Sequence, residues 1–95
     1  MKFLVSWQLH EGKLHDALQA FSDMTEEQEQ SMMGDKLKLI GRWHDLVRGT
    51  GVAIIETDDA AAMSNYALHW NEHMDMDIAI VNDDEEARSI GKGQQ

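Results

Sequence analysis

The sequence predicts an α+β fold in which a four-stranded antiparallel sheet carries two helices on one face, in the chain order β-α-β-β-α-β. Three observations lead there. Four stretches alternate or run apolar as strands do, and two others repeat their apolar residues at three- and four-residue steps as helices do. Glycines or capping residues stand where the period changes.

Phe3, Val5, Trp7 and Leu9 alternate with Leu4, Ser6, Gln8 and His10, the pattern of a half-buried strand, and Gly12 ends it. From Lys13 the spacing changes. Leu14, Ala17, Leu18, Phe21 and Met24 recur along one stripe of a helix that faces a core. In "DMTEEQEQSMMGDK", Thr25 and Gln28 have the spacing of a capping box for a second helical turn, which Gly34 closes. "LKLIGRWHDLV" and "GVAIIET" are the next two strands, joined at "RGTG", where glycine tolerates positive φ. Asp58 or Asp59 caps a helix whose face is Met63, Tyr66, Ala67, Trp70 and Met74. "DIAIV" is the fourth strand, and "NDDEEARSI" is a short acidic-capped turn of helix before the polar "GKGQQ". The order is the split βαβ, or ferredoxin-like, arrangement, with residues 1–95 as one domain and no linker or repeat.

Composition narrows the function classes. A chain of 95 residues has a thin core, so extra burial through self-association is expected to help it. Eight Lys and Arg against 18 Asp and Glu leave a formal charge of -10, which repels phosphate backbones and anionic lipid surfaces. Neither nucleic acid nor membrane is expected as a partner. The absence of Cys removes disulfides, thiolate nucleophiles and cysteine metal sites. "MKFLVSWQLHEG" is too short and too polar for a signal or a span, which gives a cytoplasmic expectation.

Val52 and Ile54 point one way from their strand while Ala53 and Ile55 point the other, so both faces of the sheet are dry there. Helices cover one face only. A second copy of the same sheet covers the other most naturally and gives a homodimer. "GRWHDLVRGTGVAIIETDD", the helix bearing Trp70, and "DIAIVNDDEEA" resemble, over nearly the whole chain, a bacterial family of unknown function in the dimeric α+β barrel superfamily. That superfamily holds cofactor-free monooxygenases, small isomerases, haem-handling enzymes and effector-binding modules. The resemblance therefore implies the fold and a dimeric barrel rather than a reaction, and no haem or monooxygenase catalytic pattern is matched.

The candidate site is a polar row among apolar neighbours such as Ile40: Ser6, Gln8, His10, Arg42, His44 and Glu56. Arg42 and His44 share one face of their strand. Glu56 depends on hairpin register. A two-residue turn at Gly49 and Thr50 places it on Trp43's face, and a three-residue loop through Gly51 places it beside Arg42. Because an unpaired carboxylate under the helices costs several kcal/mol, the register that pairs it with Arg42 is favoured. His10 and His44 sit near the same end of the sheet but two strand spacings, about 10 Å, apart, too far to share a zinc whose ligands lie about 2 Å away. His69 and His73 are one helical turn apart but have no evident third ligand, so no metal or other cofactor is expected. Trp7, Trp43 and Trp70 read chiefly as core, and Met24, Met32 and Met33 suit a pocket mouth as well as plain packing.

The leading functional expectation is a homodimer that binds a small amphipathic molecule in the barrel cavity, with Arg42 as a fork for a carboxylate. Two alternatives stand beside it. One is a cofactor-independent monooxygenase or isomerase using His44 or Glu56 as base, and the other is a structural or regulatory dimer without a ligand.

Overall fold

A computed structural model describes residues 1–94. Its elements are β1 (Lys2–Leu9), α1 (Leu14–Asp23), α2 (Glu26–Met33), β2 (Lys38–Asp45), β3 (Thr50–Glu56), α3 (Ala60–Trp70), β4 (Met74–Val81) and α4 (Asp84–Gly93). The four strands pair antiparallel in the order β2-β3-β1-β4, the expected ferredoxin-like sheet with β3 between the first two strands.

Local chemistry sets the boundaries. The capping box at α2 is complete: Thr25 Oγ1 accepts from the Gln28 amide at 3.1 Å, and Gln28 Oε1 accepts from the Thr25 amide at 2.9 Å. Asp59, not Asp58, caps α3 by accepting from the Ala62 amide at 3.1 Å. Asp83 and Glu86 form a second capping box, and with it α4 runs on through Gly93 rather than stopping after one turn. The segment expected to be a polar tail is therefore helical as far as Gly93, and Gln95 lies outside the described residues. β4 begins at Met74, three residues ahead of the expected "DIAIV", because α3 ends at Trp70 and His73 serves the turn.

The core lies between the helices and one sheet face, where Phe3, Val5, Ala53 and Ile55 meet Met33, Leu37, Met63 and Tyr66. Two tryptophans lie flat over glycines, one on each face. On the helix side Trp7 covers Gly51, where a Cβ would stand 2.1 Å from Trp7 Cζ2. On the open side Trp43 folds back over Gly41, where a Cβ would stand 2.5 Å from Trp43 Cη2. Trp43 is 60% exposed, so it is an open-face residue and not the core residue expected. Its open-face neighbours across β3 and β1 are Val52, Ile54 and Leu4.

Helix α4 buries none of its own residues. It is tied to the sheet through Lys2, whose Nζ lies 3.0 Å from Glu86 Oε1, 3.4 Å from Asp83 Oδ2 and 3.6 Å from Glu56 Oε2.

Because the Trp7 ring occupies the space a methyl group would need, Gly51→Ala is expected to destabilise the fold by about 1–3 kcal/mol, a cost typical of overpacking. Urea unfolding monitored by tryptophan fluorescence checks this.

Candidate functional site

The hairpin decides which polar residues meet. Its loop is neither of the two expected lengths. β2 ends at Asp45, which pairs with Thr50, so four residues, Leu46 to Gly49, make the turn. Asp45 Oδ1 accepts from the amides of Val47 at 3.1 Å and Arg48 at 3.0 Å, and its carbonyl accepts from the Gly49 amide at 2.9 Å. Gly49 closes the loop at φ 70°, the left-handed region that glycine enters without a steric penalty. This register sets Arg42 opposite Ala53 and His44 opposite Gly51, so both face the helices.

Glu56 does not join them. It lies on Trp43's face, in register with Lys2 and Lys38, and its carboxylate is matched by Lys2. Ser6 and Gln8 also point away from the helices, opposite Val52 and Thr50. Gln8 Nε2 donates to the Arg48 carbonyl at 3.2 Å. His10, beyond the end of β1, lies on the β4 side, where its amide donates to the His73 carbonyl and its ring Nε2 stands 3.1 Å from Asp75 Oδ1. The expected row of six is thus divided: Arg42 and His44 stay together, while Ser6, Gln8 and Glu56 are on the other face and His10 is at its edge.

Under the helices, Arg42 has a different partner. Its Nη1 donates to Glu29 Oε1 of α2, with the two side chains only 13% and 17% exposed. Burial works against the Arg42 charge, but Glu29 outweighs it and holds the guanidinium above its ordinary pKa. The guanidinium carbon also lies 4.7 Å from the centroid of Phe21. The His44 ring meets Phe21 at 5.1 Å and Trp7 edge-on at 5.7 Å. Burial, and then the neighbouring Arg42 charge, push the His44 pKa down, so its imidazole is neutral at pH 7.

Beside this group a cavity of about 70 Å³ opens between helices and sheet. Its apolar wall comes from Val5, Leu14, Leu18, Phe21, Met74 and Met76, and its polar edge from Arg42, His44, Asp45 and Tyr66. Burial raises the Tyr66 pKa, with Arg42 pulling in the opposite direction. Trp70 also lines the cavity, and its indole Nε1 is buried with no hydrogen-bond partner among the described residues. A buried donor without an acceptor is uncommon in native structures and costs about 1–3 kcal/mol.

Trp70 and Tyr66 are legible in the sequence as a helix face; a tryptophan at a cavity wall is within that reading, whereas Tyr66 as a site residue is not. Glu29 was hidden among the neighbouring carboxylates of "EEQEQ". Met33 sits in the core and Met32 packs against it; both line a separate open groove with Lys36, Ala62 and His69, and neither lines the cavity beside Arg42. His69 and His73 do not share a helix face, since α3 ends between them. Among the described residues no three His, Asp or Glu side chains cluster as a metal site, and no helix is long and apolar enough to cross a membrane.

Residues 1–95 match the model of a family described as a domain of unknown function, DUF3303. The chain belongs to that family. No curated protein matches this DUF3303 sequence. Among solved structures it is similar to an uncharacterised NIPSNAP domain protein from Burkholderia xenovorans, at 14% identity and a TM-score of 0.48, covering 86% of this chain and 95% of that one.

Arg42→Met leaves the buried Glu29 carboxylate without its partner, and a loss of about 2–4 kcal/mol in unfolding free energy is expected. The double variant Arg42→Met with Glu29→Leu should recover part of it. His44 carries a separate signature. Its folded pKa lies below the unfolded value, so the native state binds fewer protons, and stability rises with pH up to about 6.5 and is lost as pH falls through the folded pKa. Replacing His44 with Gln should flatten urea midpoints measured across that acidic window.

Proposed function

We propose that this protein is a homodimer whose subunits each bind a small, partly apolar molecule in the cavity between helices and sheet. The observation that carries the binding reading is the convergence of Arg42, His44 and Tyr66 on an otherwise apolar cavity. The apolar walls supply affinity at about 25 cal/mol per Å² removed from water. On this reading the ligand sits under the helices of one subunit and not in a space between two sheets.

The dimer reading rests on the other face. Trp43 is 60% and Val52 39% exposed there, beside Ile54 and Leu4, and a second copy of the same face would cover them. The enzyme alternative has lost Glu56 as a base, since that carboxylate is on the open face. Of the expected pair, His44 alone lines the cavity, so this alternative rests on it as the base.

Ethylbenzene titrated into labelled protein should shift the methyl resonances of Leu14, Leu18, Met74 and Met76 in a saturable way. Unmoved methyl signals overturn the cavity reading. Sedimentation at micromolar concentration should give twice the chain mass, with an interface of at least about 1,200 Å², and Trp43→Asp should yield monomer.

A further inference from the structure

Given that the cavity binds a small molecule, two side chains in its wall narrow the ligand class. Tyr66 is only 5% exposed, and its hydroxyl stands beside the Arg42 guanidinium. Arginine has donors and no acceptor, so it leaves the phenolic proton unclaimed. Arg42 in turn gives Nη1 to Glu29, and its Nε and Nη2 donate to no described residue. Among the described buried and half-buried residues, the Trp70 indole nitrogen is the one wholly shielded side-chain polar atom without a partner. The Tyr66 hydroxyl and the two remaining Arg42 nitrogens make no hydrogen bond either, and they therefore reach accessible space. Both residues line the cavity. Tyr66 also borders the groove beside Met32, which Arg42 does not line, so hydroxyl and guanidinium meet on the cavity side.

Glu29 does not line the cavity. The ion pair is thus oriented, with Arg42 toward the cavity and its counter-charge behind it on α2, and a molecule in the cavity meets the positive end first. Asp45, the one acidic residue of the lining, turns its carboxylate to the loop amides of Val47 and Arg48. The net charge of -10 opposes an anion only at long range, because salt screens exposed charges beyond about 8 Å. We propose that Tyr66 and Arg42 together anchor an anionic oxygen, so that the ligand is a small carboxylic acid with an apolar body. The Tyr66 O–H donates to the carboxylate, a free Arg42 N–H donates beside it, and the body lies against Leu14, Leu18 and Phe21. Glu29 offsets part of the Arg42 charge and so weakens the hold on the acid.

Benzoate, acetophenone and ethylbenzene share a ring and differ in carrying a charged acceptor, a neutral acceptor or none. Titrated at pH 7 and followed by the methyl resonances of Leu14, Leu18, Met74 and Met76, benzoate should bind about tenfold tighter than acetophenone, the margin of a charge-assisted over a neutral hydrogen bond. Tyr66→Phe removes only the hydroxyl, and in it benzoate affinity should fall about tenfold while ethylbenzene affinity stays. Glu29→Gln keeps an acceptor for Arg42 Nη1 and removes the opposing charge, so benzoate should gain about tenfold and ethylbenzene nothing. Dispersed amide spectra certify the fold of each variant, and the wild-type ranking stands as a test if either fails to fold. Benzoate no tighter than acetophenone, or unchanged in a folded variant, overturns the proposal while leaving cavity binding intact. If wild type binds none of the three, the cavity reading itself fails and the carboxylate anchor falls with it.

Discussion

A single buried ion pair constrains the layer above the sheet. Arg42 stands on the helix-facing side of β2, where apolar neighbours on β3 and β1 leave its charge no sheet partner, and an unmatched guanidinium there would cost several kcal/mol. Glu29 meets it from α2. That helix has little apolar patterning of its own and buries only Met33. Its position over the sheet is consequently set by the contacts of Met32 and Met33 with the core and by the Glu29 carboxylate over Arg42. Because Phe21 of α1 stacks on the same guanidinium, the pair also fixes the helix that precedes it. The cavity lies at the border of this group, between a region ordered by charge and one ordered by apolar packing around Tyr66 and Trp70.

The sheet beneath is shaped by where side chains are missing. Gly51 and Gly41 give the indoles of Trp7 and Trp43 room to lie flat against the backbone, one on each face. On the helix side this keeps Trp7 low enough for the His44 ring to sit against its edge at the cavity wall. On the open side it presents Trp43 as a broad apolar surface beside Val52 and Ile54. Glycine in a strand lowers β propensity by lacking a side chain to pack. Here the tryptophans supply that packing from a neighbouring position on the same face.

Element order, sheet topology and caps were legible because each rests on a local signal: alternation in residues 3–9, the Thr25 and Gln28 box, and an aspartate ahead of α3. Hairpin register was not. Turn chemistry around "RGTG" drew attention to two- and three-residue loops, whereas Asp45 accepts two loop amides and sets a four-residue turn that starts earlier. The irregularity between Leu39 and Gly41 then shifts pairing once more, aligning Glu56 with Lys38. The cost assigned to an unpaired buried carboxylate was sound, but it applied to Glu29 rather than Glu56. Glu56 reaches Lys2 on the open face, and no sequence spacing distinguishes that cation from Arg42 as its partner.

The same reasoning explains why a chain of net charge -10 places an arginine under its helices. A lone cation there would draw anions into the cavity and leave the fold dependent on one being bound. With Glu29 on α2, the charge is satisfied by the chain itself. The indole N–H of Trp70 differs in kind: it is a neutral donor, and its unmet hydrogen bond costs far less than an unmet charge, a cost the fold can carry within its stability.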